Sequence, residues 1–199
     1  MEEVFPYIPL AALWIAYFIV HSFLATTTVK TYLYEKFPVL KKYYHLAYNV
    51  FSLITAIAIF AYQWSLPELT IIQPNVFSLF LGAVLIFAGV VVGGFALFSF
   101  DQREFIGIRQ LVGDENQSGE LITSGVYSIV RHPLYFSLIL IVLGYLVYSF
   151  HLSNLIFASC TFIYLIIGTR LKEKKLLQTF GKPYKNYRKK VKMLIPFVF

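Results

Sequence analysis

Five stretches of this chain, 7–28, 44–64, 77–99, 133–150 and 152–169, contain no Asp, Glu, Lys or Arg. Crossing about 30 Å of hydrocarbon takes roughly 20 helical residues, and each stretch is near that length. The pattern predicts an all-α fold, a polytopic membrane bundle of about five transmembrane helices. Composition agrees: 58% of the residues are hydrophobic and 14% charged, with a mean hydropathy of +0.69, so the natural solvent is a bilayer. Glu2 and Glu3 precede the first stretch where a cleaved secretory signal would carry basic residues. That stretch is also too long and aromatic for such a signal, and is expected to stay as a helix.

A net charge of +7 raises the possibility of nucleic acid, but the placement of the cations argues against it. Lys30, Lys36, Lys41 and Lys42 lie between the first two stretches, Arg103, Arg109 and Arg131 between the third and fourth, and the other ten Lys or Arg follow the fifth. The amino terminus, the 65–76 connection and the turn at His151 have none. By the positive-inside rule the amino terminus is outside and the carboxyl terminus cytoplasmic, as an odd number of spans requires. Basic residues beside an anionic leaflet are ordinary membrane electrostatics, so membrane lipids are the expected partners. The lone Cys160 supports neither a disulfide nor a metal site.

The spans follow closely on one another with no linker, low-complexity tract or repeat, which reads as one domain over 1–199. The fourth and fifth stretches leave almost no loop between them and must form a tight antiparallel hairpin. The connection 101–132 is the longest polar stretch and carries a turn-like segment at 113–120; a loop this long is more often functional than idle. Beyond the fifth stretch, Glu173, Leu176, Leu177 and Phe180 recur at helical spacing, while Lys172, Lys174 and Lys175 fall elsewhere. This predicts a cytoplasmic amphipathic C-terminal extension, with Glu173 on its apolar stripe. Gly181-Lys182-Pro183 ends that helix, and Tyr184, Tyr187 and Val191 form a second stripe backed by Lys185, Arg188 and Lys189.

Chemistry concentrates at Arg131-His132-Pro133-Leu134-Tyr135. Pro133 suits the first position of a helix, which puts His132 at the cap. Free N–H groups at a helix start together with Arg131 make a carboxylate or phosphate site. The plain alternative is that Arg131 and His132 only touch lipid headgroups and that Tyr135 is an aromatic-belt residue.

The segment 125–135, followed two spans later by Glu173-Lys174-Lys175-Leu176-Leu177-Gln178-Thr179-Phe180-Gly181-Lys182-Pro183-Tyr184-Lys185-Asn186-Tyr187, resembles the isoprenylcysteine carboxyl methyltransferase and phospholipid methyltransferase superfamily. The resemblance covers residues 125–196. Pairing Arg-His-Pro-x-Tyr with Glu-x-x-Leu-x-x-x-Phe-Gly-x-x-Tyr-x-x-Tyr across a hairpin is specific, although either half alone is weak. It implies a membrane methyltransferase that uses S-adenosylmethionine, held between the start of the fourth span and the tail, within about 101–196. Residue by residue, His132 and Tyr135 match the cofactor-contacting positions and Glu173 the acid of the tail motif. Tyr127, Arg131, Tyr184 and Tyr187 complete the implied cofactor set. One departure stands out, because the family usually has two adjacent acids and this chain has Lys172 before Glu173. Methyl transfer from a sulfonium needs no metal; positioning and electrostatics supply the catalysis. Glu173 could hold the cofactor's ribose or ammonium and Arg131 its carboxylate. Alternatively Arg170, three residues earlier on the same helix, simply pairs with Glu173; Arg170 is also a catalytic candidate.

His21-Ser22-Phe23-Leu24-Ala25, Tyr43-Tyr44 with Tyr48-Asn49, and Arg103-Glu104-Phe105 with Gly107-Ile108-Arg109-Gln110 look more like the thiol S-methyltransferase and NnrU-like branch. That branch implies a small or lipid-like acceptor, most naturally a thiol, and a prokaryotic cytoplasmic membrane. At 1.5 Å per residue, His21 and Asn49 lie roughly 8 to 10 Å inside the membrane. A neutral His there can act as general base toward a thiol, or His21 and Asn49 merely join two helices. Gly89, Gly93 and Gly94 read as close-packing positions, or as space for the cofactor. Two other readings compete: an NADPH-dependent enzyme of the sterol-reductase type, for which the chain is short, and a non-enzymatic transporter or scaffold, for which repeats and broken helices are missing.

Overall fold

The computed structural model describes residues 4–99 and 121–196. Glu2, Glu3, the motif around Arg103 to Gln110 and the turn 113–120 lie outside them. The described residues divide into two compact units, 4–69 and 70–99 with 121–196.

In the first unit, α1 (Tyr7–Ala25) and α3 (Leu40–Ser65) are joined through the short α2 (Thr27–Lys36). The apolar stretch 7–28 is not one helix, because Thr26 turns to an extended conformation and its hydroxyl caps α2 by accepting from Val29 N–H. Polar contacts tie the two long helices along their length. Trp14 donates to Gln63 at 3.1 Å, the Tyr44 hydroxyl donates to the Leu24 carbonyl at 2.7 Å, and the Tyr7 hydroxyl donates to the Pro67 carbonyl. Tyr7, Leu10 and Trp14 are fully buried. In hydrocarbon such bonds hold helices where apolar burial has no driving force.

The second unit contains β1 (Thr70–Ile72), α4 (Val76–Phe98), a 3₁₀ turn at Gly125–Ser128, α5 (Pro133–Tyr148), β2 (Phe150–His151), α6 (Leu152–Phe180) and α7 (Lys182–Lys190). Asn75 and Ser78 form a reciprocal capping box that starts α4. The axes of α4 and α5 approach closely because glycines face each other. A Cβ on Gly144 would lie 2.7 Å from the Gly82 carbonyl oxygen, and one on Gly82 would lie 2.8 Å from the Gly144 oxygen. Gly89 and Gly93 continue this seam against Ser137 and Ile141, whereas a Cβ on Gly94 meets no described atom within 4 Å. So Gly89 and Gly93 are packing positions. Between α5 and α6, Val142, Leu146 and Ala158 form an apolar core flanked by Phe150, Leu155, Phe157 and Phe162.

Among the described residues, four helices (α1, α3, α4 and α6) are long and apolar enough to cross a membrane, and α5 is a shorter apolar helix. With 16 residues α5 rises only about 24 Å. The fifth apolar stretch ends at residue 169, but α6 runs on to Phe180, 29 residues in all, because no Gly or Pro interrupts the helix formers between Thr169 and Gly181. The turn between α5 and α6 is also more than a tight hairpin: β2 pairs antiparallel with β1, Thr70 opposite His151 and Ile72 opposite Phe150. Periodicity of 3.6 carries no signal for so short a ladder.

Candidate functional site

The second unit places the start of α5 against the far end of α6 and the tail. Gly125 opens the 3₁₀ turn with φ 59°, a conformation that favours glycine, and Tyr127 is buried in the turn. Val130 then bridges Lys192 in parallel register. Arg131 N–H donates to the Lys192 carbonyl at 2.8 Å and His132 N–H to the Met193 carbonyl at 3.2 Å. His132 occupies the cap of α5 with Pro133 in its first turn, as expected, but its imidazole turns away from the helix end toward Glu173.

Glu173 is the hub. It lies on the buried stripe of α6 with Leu165 and Thr169. Its Oε1 accepts from Arg131 Nε at 2.9 Å, His132 Nε2 at 2.8 Å and the Tyr184 hydroxyl at 2.5 Å. Its Oε2 accepts from Arg131 Nη2 at 3.1 Å and lies 3.1 Å from Arg188 Nε. A carboxylate has about four lone-pair sites, so this one is saturated. Arg131 is equally engaged, since its remaining nitrogen, Nη1, donates to the carbonyls of Arg188 and Val191. The side chains of Arg131, His132 and Glu173 are each under a tenth exposed.

This geometry sets the protonation states. Burial alone would raise the Glu173 pKa, but the hydrogen bonds from His132, Arg131 and Tyr184 hold it at about 2. Burial pushes the His132 imidazole below its ordinary value even beside a carboxylate. Nε2 faces a carboxylate oxygen and must therefore carry the proton. Burial first, and then the Glu173 carboxylate, raise the Tyr184 phenol; burial raises Tyr187 to about 12. Unfolding at pH below 6.5 protonates His132, and unfolding between pH 4.5 and about 2 protonates Glu173. Both groups bind more protons when unfolded, so both favour the folded state at higher pH. The melting temperature is therefore expected to be level above pH 6.5 and to fall as the solution is acidified, with Glu173→Gln abolishing the lower part of the fall. A flat melting temperature down to pH 3 overturns this account.

Gly181 leaves α6 with φ 55°, Pro183 sits in the first turn of α7, and Tyr184 and Tyr187 are its buried residues. The Tyr187 hydroxyl donates to the Tyr127 carbonyl at 2.5 Å. Around this framework is a cavity of about 210 Å³ whose lining includes Tyr127, Arg131, His132, Tyr135, Tyr184 and Tyr187. Six of the seven residues expected at the cofactor thus line one cavity, and the seventh, Glu173, bonds three of them. Lys172 also lines it, with Nζ 5.4 Å from the Tyr135 ring centroid. Leu176 and Phe180 face it as well, whereas Leu177, placed on the same stripe by spacing, is exposed. Arg170 is exposed; the ion pairs of Glu173 are with Arg131, His132 and Arg188. Arg188 looked like part of the solvated face. Its spacing of four from Tyr184 was the available signal.

In the first unit, His21 Nδ1 is 3.1 Å from the Ser52 hydroxyl, and its Nε2 is 2.9 Å from the Tyr48 hydroxyl. Tyr17 stacks on its ring. His21 and Ser52 line a second cavity of about 350 Å³ that is otherwise almost wholly apolar. Asn49, half-buried on α3, is next in sequence to Tyr48. Ser52 escaped sequence reasoning, although its spacing of four from Tyr48 marks a shared helix face.

The family model for phospholipid methyltransferases matches residues 77–183, from the start of α4 to that of α7. The chain belongs to the phospholipid methyltransferase family. By family it is an integral membrane methyltransferase. It is 30% identical over 186 residues to the methanethiol S-methyltransferase of Crocosphaera subtropica, an alignment covering 89% of this chain and 70% of that one. The methanethiol S-methyltransferase of Pseudomonas deceptionensis is 34% identical over 105 residues, 51% of this chain and 39% of the relative. Methanethiol S-methyltransferase 1 of Bradyrhizobium diazoefficiens is 34% identical over 119 residues, 59% of this chain and 40% of the relative. The matched stretch thus spans less than half of these last two relatives. No solved structure matches the chain.

Proposed function

We propose that this protein transfers a methyl group from S-adenosylmethionine to a small thiol, with the cofactor in the cavity between the start of α5 and the tail. The observation that carries the reading is the convergence of Tyr127, His132, Tyr135, Tyr184 and Tyr187, drawn from three separate segments, on that cavity. The alignment with a methanethiol S-methyltransferase over most of the chain favours a thiol acceptor. The lining suits the cofactor: aromatic and apolar faces can take a purine and a sulfonium, and a cationic side chain can take a carboxylate.

S-adenosylmethionine, when bound, supplies an electrophilic methyl group on a sulfonium. The chain contributes orientation. Glu173 and Arg131 act as positioning residues, since their polar atoms are engaged within the protein. Through its bond to Nε2 Glu173 fixes the ring and tautomer of His132, and Glu173 and Arg131 with Tyr184 hold the tail as the cavity wall. His132 and Tyr135 are the proposed cofactor contacts. His21 and Asn49 are proposed on the acceptor side, with His21 as the group that receives the thiol proton and its ring set by Tyr48 and Ser52. The placement of basic residues favours the amino terminus outside and the tail cytoplasmic. Arg170, exposed and outside the Glu173 network, keeps no proposed role in catalysis.

The test is a turnover screen of purified protein in lipid nanodiscs with labelled S-adenosylmethionine and three acceptor classes: small thiols, prenylcysteine and phospholipid amines. Label is expected in the thiol product. Transfer to a phospholipid amine instead would move the acceptor to the class in the family's name, and absence of transfer to all three overturns the reading.

A further inference from the structure

The start of α5 offers an anion less than its sequence suggests. Pro133 has no N–H, and the N–H groups of Tyr135 and Phe136 both donate to the His132 carbonyl at 3.0 Å. Arg131 places Nε and Nη2 on Glu173 and Nη1 on two tail carbonyls. The guanidinium therefore lines the cavity with its charge already compensated and four of its five N–H donors occupied. Lys172 differs. It lines the same cavity and is exposed, and among the described residues its ammonium meets no carboxylate within 4 Å, only the face of Tyr135. The described lining contains no Asp or Glu.

We infer that Lys172 is the residue that binds the carboxylate of the methyl donor's amino-acid end. This rests on the function proposed above and makes the cavity specific for a carboxylate-bearing adenosyl sulfonium. An ammonium resting over a ring is weakly held, whereas a charge-assisted bond to a carboxylate is stronger, and the lysine's flexible stem lets it exchange one for the other. Its departure also uncovers the Tyr135 face for the incoming sulfonium. The basic residue thus has a purpose at a position where the family usually carries an acid.

The experiment is calorimetry on nanodisc-embedded protein with two probes: S-adenosylhomocysteine and its decarboxylated counterpart, which keeps the amine and lacks the carboxylate. Wild-type protein is expected to bind the first more tightly, and Lys172→Met to weaken it about tenfold, the scale of one charge-assisted hydrogen bond, while leaving the decarboxylated probe unchanged. Lys172→Arg should restore most of the loss. Equal weakening of both probes by Lys172→Met indicates a packing role and overturns the assignment, as does no change in either. If the wild-type protein binds neither probe, the proposed use of S-adenosylmethionine falls first, a result distinct from the other two.

Discussion

Replacing Glu173 by Ala is expected to lower stability by about 3 to 5 kcal/mol, the usual consequence of removing one partner of a buried ion pair. The substitution strands Arg131, whose side chain is 8% exposed, and leaves the His132 N–H and the Tyr184 hydroxyl without their acceptor. By size alone, a loss of that order moves the melting temperature by on the order of 10 °C. Because Glu173 of α6 joins Arg131 and His132 before α5 to Tyr184 and Arg188 of α7, the damage should also be local. Proteolysis should cut after the lysines of α7 at concentrations that leave wild-type protein intact. Glu173→Gln preserves shape and is expected to be milder. A melting temperature within a degree or two of wild type for Glu173→Ala would show that the network is decorative.

The second large effect is steric. Gly144→Leu is expected to destabilise by about 3 kcal/mol or more, at or beyond the upper end of ordinary overpacking, because the new Cβ would sit 2.7 Å from the Gly82 carbonyl and 2.8 Å from the Ile86 backbone nitrogen. Backbone cannot rotate aside as a side chain can, so α4 and α5 must separate. Small residues are what allow such approach between membrane helices. Gly94→Ala on α4 is the control, since no described atom lies within 4 Å of the added carbon. The readout is the yield of monodisperse protein in mild detergent and its resistance to titrated denaturant. Equal yields of the two variants would discount the seam.

Much of this architecture is legible in the residues. Charge-free stretches mark where helices lie, Pro133 marks the start of α5, and Gly181 marks the end of α6. The association of Arg131, His132 and Tyr135 with Glu173, Tyr184 and Tyr187 follows from the paired motif. What sequence could not supply is who satisfies whom. From spacing, Arg170 is as good a partner for Glu173 as any, and Arg131 looks available to a ligand. Only in three dimensions does Arg131 turn both edges of its guanidinium inward and Arg188 arrive from α7. Hydropathy likewise misreads continuity: it ends the fifth stretch at residue 169 and runs the first through Thr26, because it registers polarity and not backbone conformation.

The bridge from Val130 to Lys192 has a consequence for biosynthesis. Arg131 and His132 find their backbone partners at Lys192 and Met193, some sixty residues later and after two membrane segments have been inserted. While those segments leave the ribosome, the cap of α5 has no tail to bond. The cavity therefore closes at the end of synthesis rather than during it. A nascent chain stalled before residue 191 would carry inserted helices and an unfinished wall. Such a chain is expected to be the species that quality-control proteases recognise.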